Sequence, residues 1–212
     1  MDPAGTDSAG NSGGPRRLVL ASASPARLRL LRDAGLDPSV VVSGVDESTV
    51  TESDPVLLVS ALAAAKARAV AAHSGLAAAT LVLGCDSMLD LDGAVLGKPG
   101  TADAAIERWR QMRGRTGVLL TGHALIDTAT GREVHGVGRT AVRFGTPSDA
   151  EIAAYVATGE PLEVAGGFTL DGRAAPFIDG IDGDASNVVG LSLPVLRALL
   201  AQLDIGIIQL WR

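Results

Sequence analysis

The sequence contains few aromatic residues and a single cysteine. Phe, Trp and Tyr make up 3% of the 212 residues, which argues against aromatic platforms that stack the bases of single-stranded nucleic acids. One cysteine, Cys85, excludes an intramolecular disulfide framework and cysteine-rich zinc sites. The histidines His73, His123 and His135 show no metal-ligand spacing. His123 lies in a strand pattern, so we interpret it as a structural residue.

The chain also lacks an excess of basic charge and a long apolar run. Its net charge is −6, so nucleic acid is not an expected partner, and an anionic ligand needs a local basic pocket. No apolar run is long enough to span a bilayer, so no membrane partner is expected. Met1–Gly14 is polar and has no signal-peptide core, which predicts a disordered tail. We expect a cytoplasmic protein with one domain over residues 15–212.

Strand and helix patterns alternate along the chain, which indicates an α/β fold. Asp92-Gly93 is a typical two-residue hairpin turn. The predicted strands cover Arg17–Ser22, Ser39–Ser43, Thr80–Cys85, Met88–Leu91, Ala94–Gly97, Arg115–Thr128, Arg132–Phe144 and Pro176–Ile181. The predicted helices cover Pro25–Ala34, Pro55–Ala72, the residues from the cap Thr101 to Arg113, Pro147–Ala157 and Leu193–Leu203.

The junction between the first strand and the first helix has the features of an anion site. Ser24 is a good N-cap and Pro25 falls at the first helical position. The helix start therefore presents free backbone N–H groups. Ser22 adds a hydroxyl and Arg27 a guanidinium, a combination suited to phosphate oxygens. The alternative is a capped helix with a solvated arginine.

Lys66 falls on the apolar stripe of the long alanine-rich helix. Val59, Leu62, Lys66 and Val70 share one face by the three-or-four spacing. A lysine in this position either extends to solvent from the edge of the stripe or points inward toward an anionic partner. The spacing leaves both alternatives open.

Asp86 follows a buried strand, at the edge of an α/β sheet where ligands usually bind. If Asp92 and Gly93 form the hairpin turn, Lys98 comes opposite Ser87 and therefore beside Asp86. This pairing predicts either a functional site or a simple structural ion pair.

Glu47 lies in the polar loop after the second strand. Asp86 and Glu47 could share a divalent cation with phosphate oxygens, since Mg²⁺ prefers oxygen ligands, and the neighbouring Asp46 is an alternative ligand. The sequence has no Walker A loop, no G-x-G-x-x-G and no G-x-S-x-G, so these common nucleotide-binding and hydrolase signatures are missing.

Taken in order, these segments resemble the Maf family of nucleotide pyrophosphatases. The resemblance implies an elongated mixed sheet with flanking helices, of the inosine-triphosphate-pyrophosphatase type, with a central cleft between two lobes and often a homodimer. The matching stretches are Leu20–Pro25 with Arg27, Val45–Ser48, Ala65–Ala67, Gly84–Asp86, Gly97–Pro99, Tyr155–Pro161, Ala165–Gly166, Ile178–Ile181 and Asn187–Leu191.

The resemblance implies hydrolysis of a nucleoside triphosphate to the monophosphate and pyrophosphate with a divalent metal, Mg²⁺ or Mn²⁺. Asp86 would be the general base or the activator of a metal-linked water, and Glu47 would help to hold the metal. The remaining implied ligands of the phosphates are Ser22, Arg27, Lys66 and Lys98.

The positions implied to select the base depart from both branches of the family. The branch acting on dTTP and UTP has arginine, threonine and glutamine where this chain has Ala26, Ser87 and Asp171. The branch acting on 7-methyl-GTP has a bulky residue, glutamine and glutamate. The preferred base therefore stays open. The alternative functions are a regulatory nucleotide-binding protein in cell-division control, with little or no turnover, and a transferase that binds phosphate groups.

Overall fold

The strands form one seven-stranded mixed sheet with helices packed against it. The computed structural model describes residues 16–73, 75–77 and 79–212, so the predicted tail Met1–Gly14 lies outside the described residues. The strands are β1 (Arg17–Leu20), β2 (Ser39–Val40), β3 (Thr80–Leu91), β4 (Ala94–Leu96), β5 (Thr116–Asp127), β6 (Arg132–Phe144) and β7 (Ile178–Asp182). The helices are α1 (Pro25–Asp33), α2 (Pro55–Ala71), α3 (Ala102–Met112), α4 (Asp149–Ala157), α5 (Ala185–Val189) and α6 (Leu193–Gln202). The predicted α/β class with a mixed sheet is confirmed.

The strand order is β2-β1-β3-β5-β6-β7, and β4 pairs with the far end of β3. β1 is parallel to both β2 and β3, whereas the other pairs are antiparallel. Short 3-10 helices occupy several of the connections. In the described part of the chain, no helix is both long and apolar enough to cross a membrane.

The predicted caps and the hairpin turn have the expected local geometry. The side chains of Ser24, Asp54 and Thr101 each accept hydrogen bonds from backbone N–H groups in the first turn of α1, α2 and α3. Asp92 and Gly93 have φ values of 53° and 87°. Positive φ at both central residues is the requirement of a type I′ turn, which fits the twist of the flanking strands. These elements are therefore determined largely by their own sequence.

Other elements differ from the sequence prediction, among them β3, β2 and helix α5, which the sequence analysis does not predict. β3 runs without interruption from Thr80 to Leu91, because β5 pairs with it from Leu81↔Asp127 to Asp90↔Val118. The predicted strand Ser39–Ser43 is shortened to Ser39–Val40, since β2 is an edge strand of the described sheet and its partner β1 ends at Leu20.

The long strands extend between separate hydrophobic cores. Leu83 of β3 belongs to a core with residues of α1 and α6. Leu89 of the same strand belongs to another core, which surrounds the buried Trp109. The segment of β3 that contains Asp86 therefore lies between the two cores.

Helix α2 approaches the sheet unusually closely at two glycines. A Cβ at Gly84 of β3 would lie 2.2 Å from the carbonyl oxygen of Ala63. A Cβ at Gly122 of β5 would lie 2.1 Å from that of Val59. Because both contacts involve backbone, no side chain fits at either position without moving α2. This close packing brings the apolar face of α2, including Lys66, against the middle of β3 and β5.

Candidate active site

The candidate site lies at a gap along one edge of β3. β1 pairs with β3 only as far as Leu20↔Leu83, and β4 pairs with it only from Leu89↔Leu96 onward. Between these pairs, β3 carries Asp86 and faces the residues that follow β1. The carboxyl end of a parallel strand, next to a change in strand pairing, is where open α/β sheets usually bind ligands.

Lys66 lies between two carboxylates in this gap. Its Nζ is 2.5 Å from Oδ1 of Asp86 and 2.6 Å from Oε1 of Glu47. The Lys66 and Asp86 side chains are 11% and 8% exposed, whereas that of Glu47 is 56% exposed. Of the two alternatives for Lys66, the structure shows the inward-pointing lysine with anionic partners.

Asp86 is a buried acid with an unusual electrostatic environment. Burial raises the pKa of its carboxyl above the ordinary value, although the neighbouring Lys66 ammonium acts in the opposite direction and lowers it. Its second oxygen, Oδ2, is buried and has no hydrogen-bond partner among the described residues. A buried polar atom without a partner is costly. Such an atom, on a carboxylate of raised pKa, is suited to accept a proton or to bind a cation.

Arg27 is held by four acceptors from separate parts of the chain. Its Nε donates to the Gly190 carbonyl (2.7 Å), and its Nη1 donates to Ser22 Oγ (3.1 Å) and the Cys85 carbonyl (2.9 Å). Its Nη2 donates to Ser87 Oγ (3.0 Å). These bonds leave one Nη2 hydrogen for a ligand. Ser22 and Arg27 therefore lie together at the start of α1, as the sequence predicts, and the solvated arginine of the alternative interpretation is not observed.

The expected pairing of Lys98 with Asp86 is wrong. Lys98 Nζ lies 3.7 Å from Oε2 of Glu163, and its side chain is 64% exposed. The hairpin ladder ends at Leu89↔Leu96, and the Gly97 carbonyl then accepts from the Gly166 N–H. The chain thus leaves β3 before Lys98 can face Ser87.

The three residues implied to contact the base interact with different parts of the structure. Asp171 forms an ion pair with Arg29 on the exposed side of α1. Ser87 bonds to Arg27 and Thr121, and Ala26 is a half-buried residue in the first turn of α1. The structure brings Ser87 to the candidate site but gives no direct contact between it and Asp171.

The carboxylates at this site could supply part of the coordination shell of a divalent cation. Glu47 and Asp86 converge on the ammonium of Lys66, so their carboxylates already surround one cation. Asp46 is occupied as the cap of a 3-10 turn, accepting from the Ser48 N–H, and this bonding lowers the pKa of its carboxyl. Among the described residues, no group of three or more His, Cys, Asp or Glu side chains is arranged to hold a metal. Mg²⁺ commonly takes one or two carboxylates and completes its shell with water and substrate phosphates.

Sequence reasoning gave no role to Thr121, Asn187 and Gly190, which contact Ser87 and Arg27 directly or through one another. The stretch Asn187–Leu191 was noticeable only as a motif. His123 is buried, accepts from the Ser192 N–H and contacts the Thr121 carbonyl. It is a structural histidine, as the strand pattern predicts.

Comparisons with known proteins agree with this geometry. The family model described as "Maf-like protein" matches residues 17–203. A protein of Streptomyces coelicolor named nucleoside triphosphate pyrophosphatase is 65% identical over 196 residues, covering 92% of this chain and 95% of the relative. A protein of the same name from Saccharopolyspora erythraea is 55% identical over 204 residues, covering 92% and 97%. Both the extent of the family match and the identity of these relatives show that the chain belongs to the Maf family.

Proposed function

We propose that this protein is a nucleoside triphosphate pyrophosphatase, which hydrolyses a nucleoside triphosphate to the monophosphate and pyrophosphate with the help of a divalent cation. The observation that carries the proposal is the buried Lys66–Asp86 pair, with Glu47 on the same ammonium, in the gap of β3. Membership of the Maf family and the names of the relatives support the same reaction.

The phosphates are bound at the start of α1 and by the neighbouring cations. The helix N-terminus presents backbone N–H groups, and Ser22 Oγ lies within reach of Arg27. Lys66 contributes an ammonium in a water-poor environment, where its charge acts strongly on developing negative charge. We assign Lys98, which is exposed and lies 3.7 Å from Glu163, to the outer phosphates. These positive groups offset the negative charge of the triphosphate and of the oxygens around the attacked phosphorus.

Asp86 is the general base. Its Oδ1 is engaged by Lys66, so the proton of the attacking water goes to Oδ2, the buried oxygen that has no partner. Because burial raises the pKa of this carboxyl, the pKa lies closer to neutral pH than that of an exposed aspartate, which makes Asp86 a more effective base at neutral pH. Once Asp86 is protonated, Glu47 still pairs with Lys66, but the Asp86 charge no longer offsets the ammonium, whose charge then acts more strongly on the phosphate oxygens.

Glu47, together with the Asp86 oxygen that does not take the proton, would hold the divalent cation, Mg²⁺ or Mn²⁺. When bound, the cation would neutralise charge on the phosphate oxygens and help to position them. Ala26, Ser87 and Asp171 are the positions that we assign to base selection. We further propose that residues 15–212 act as one catalytic domain, as a homodimer in the cytoplasm, with the substrate in a cleft between two lobes.

The test is the identity of the product. The purified protein is incubated with Mg²⁺ or Mn²⁺ and each of the canonical nucleoside triphosphates, dTTP, 7-methyl-GTP and other modified nucleotides. Inorganic pyrophosphate and single phosphate are then assayed separately. Pyrophosphate in equal amount to the monophosphate supports the proposal. Release of single phosphate, a requirement for an acceptor molecule, or tight binding without turnover across the whole panel contradicts it.

A further inference from the structure

The turn after α5 contacts the Arg27 guanidinium directly. The Gly190 carbonyl accepts the Arg27 Nε–H at 2.7 Å. Gly190 has φ of +121°, a conformation that L side chains rarely adopt, and an added Cβ would lie 3.5 Å from Arg27 Nε. The glycine is therefore needed for the backbone conformation that directs this carbonyl at the arginine.

A chain of hydroxyl groups supports the other end of the guanidinium. Thr121 Oγ1 donates to the Asn187 carbonyl at 3.3 Å, and Ser87 Oγ lies 2.9 Å from Thr121 Oγ1. Because each hydroxyl has a single proton, Thr121 accepts from Ser87 when it donates to Asn187, and the Ser87 proton goes to Thr121 Oγ1 at 2.9 Å rather than to the more distant Gly190 carbonyl at 3.4 Å. The Ser87 oxygen is then free to accept from Arg27 Nη2 at 3.0 Å. The hydrogen bonds run in one direction, from Arg27 through Ser87 and Thr121 to Asn187.

Asn187 anchors this chain in the sheet. Its side chain is fully buried, and Nδ2 donates to the Leu119 carbonyl and to Thr140 Oγ1, both at 3.1 Å. A Cβ at Gly138 of β6 would lie 2.2 Å from Asn187 Oδ1, so the amide fits only against a glycine. Short helix α5 is thus fixed to β5 and β6, and its last turn has little freedom to move relative to Arg27.

We infer that Thr121, Asn187 and Gly190 are positioning residues for Arg27, which orient its guanidinium so that the remaining Nη2 hydrogen is directed to a phosphate oxygen. The inference rests on the proposed function for the identity of the ligand. It gives the Asn187–Leu191 motif a role that the phosphate-binding residues alone do not explain. None of the three residues needs to touch the substrate.

The experiment compares Thr121→Val with Thr121→Ser. Valine keeps the shape of the buried side chain but removes the hydroxyl, whereas serine keeps the hydroxyl and loses only a methyl group. The probe is inorganic pyrophosphate with Mg²⁺, titrated by calorimetry. We expect Thr121→Val to weaken pyrophosphate binding on the order of tenfold and Thr121→Ser to retain most of the affinity. Gly190→Ala should weaken binding with the hydroxyl chain intact. Wild-type affinity in Thr121→Val, or an equal loss in Thr121→Ser, overturns the inference.

A second readout does not depend on the proposed function. The Arg27 Nε–H signal, assigned in the ¹⁵N spectrum by its loss in Arg27→Lys, should exchange slowly with water in the wild type and in Thr121→Ser. It should exchange faster in Thr121→Val and in Gly190→Ala. Equal exchange in all four proteins overturns the positioning role even if nucleotides are hydrolysed. Conversely, if the wild type neither binds pyrophosphate nor releases it, the proposed function fails, while the exchange rates still decide whether these residues position Arg27.

Discussion

Removing the ammonium of Lys66 should destabilise the protein in a way that depends on Asp86. In Lys66→Met, the methionine fills a similar volume but leaves Asp86, whose side chain is 8% exposed, as a buried carboxylate without its cation. Breaking a buried ion pair by removing one partner costs about 3–5 kcal/mol. Glu47 is more exposed, and water replaces Lys66 there at little cost. For a chain of 212 residues this loss lowers the melting temperature by about 6–20 °C.

The loss should depend on pH in a defined direction. The pKa of Asp86 is already raised by burial, and removing Lys66 raises it further. A carboxyl whose pKa is higher in the folded state binds its proton more tightly there. It therefore favours the folded state at low pH, and this contribution is lost as pH rises through the folded-state pKa. Lys66→Met should thus be closest to the wild type in acid and most destabilised at about pH 8.

Two control variants test this reasoning by urea denaturation followed by circular dichroism. Arg68→Met removes a cation two residues later in the same helix, where the arginine forms an ion pair with Glu133 and is 63% exposed. Because this pair is exposed, its loss should lower the free energy of unfolding by about 1 kcal/mol or less. The double variant Lys66→Met/Asp86→Asn removes the orphaned charge and should be more stable than Lys66→Met alone. The reasoning is refuted if Lys66→Met costs no more than Arg68→Met, or if the double variant is the less stable one.

Two further predictions concern close packing and a buried imidazole. Gly84→Ala places a Cβ against the Ala63 carbonyl and should lower the free energy of unfolding by about 3 kcal/mol or more. In the control Gly97→Ala the added Cβ meets nothing within 4 Å, so the loss in the same urea denaturation should be less than about 1 kcal/mol. Equal losses of stability in the two variants would contradict the packing argument. Burial lowers the pKa of His123 from 6.5 to about 4. The neutral imidazole therefore contributes roughly 3 kcal/mol to the stability of the folded state above pH 6.5, and this contribution is lost as the pH falls from 6.5 to about 4. The His123 ring signals in NMR should accordingly stay at their neutral positions down to about pH 5, and a protonation shift near pH 6 would disprove the burial argument.

Several features of the fold and site are readable from local sequence because their causes are local. Asp92-Gly93 forms a type I′ turn since both residues tolerate positive φ. Ser24 caps α1 through its own side chain. The apolar stripe that contains Lys66 is also readable from the sequence, but the spacing leaves the direction of the lysine open; the glycine at position 84 lets that stripe reach β3.

The remaining features depend on distant parts of the chain. β3 is continuous because β5 pairs with it from Leu81 to Asp90, which no local pattern in Thr80–Leu91 reveals. Lys98 does not pair with Asp86 because the Gly97 carbonyl accepts from the Gly166 N–H and not from β3. One of the groups that accept hydrogen bonds from Arg27 is the Gly190 carbonyl, at a sequence separation of 163 residues. Contacts of this kind are set by the assembled sheet and have no signature in the neighbouring residues.

The most direct test of the central claim compares the wild type with Asp86→Asn in the release of pyrophosphate from the best nucleotide of the panel. Asparagine has nearly the same shape as aspartate but cannot accept the proton of the attacking water. The variant should remain folded by circular dichroism and lose pyrophosphate release by a factor on the order of 10² to 10⁴. Pyrophosphate release by folded Asp86→Asn at the wild-type rate would contradict the assignment of the gap in β3 as the catalytic centre.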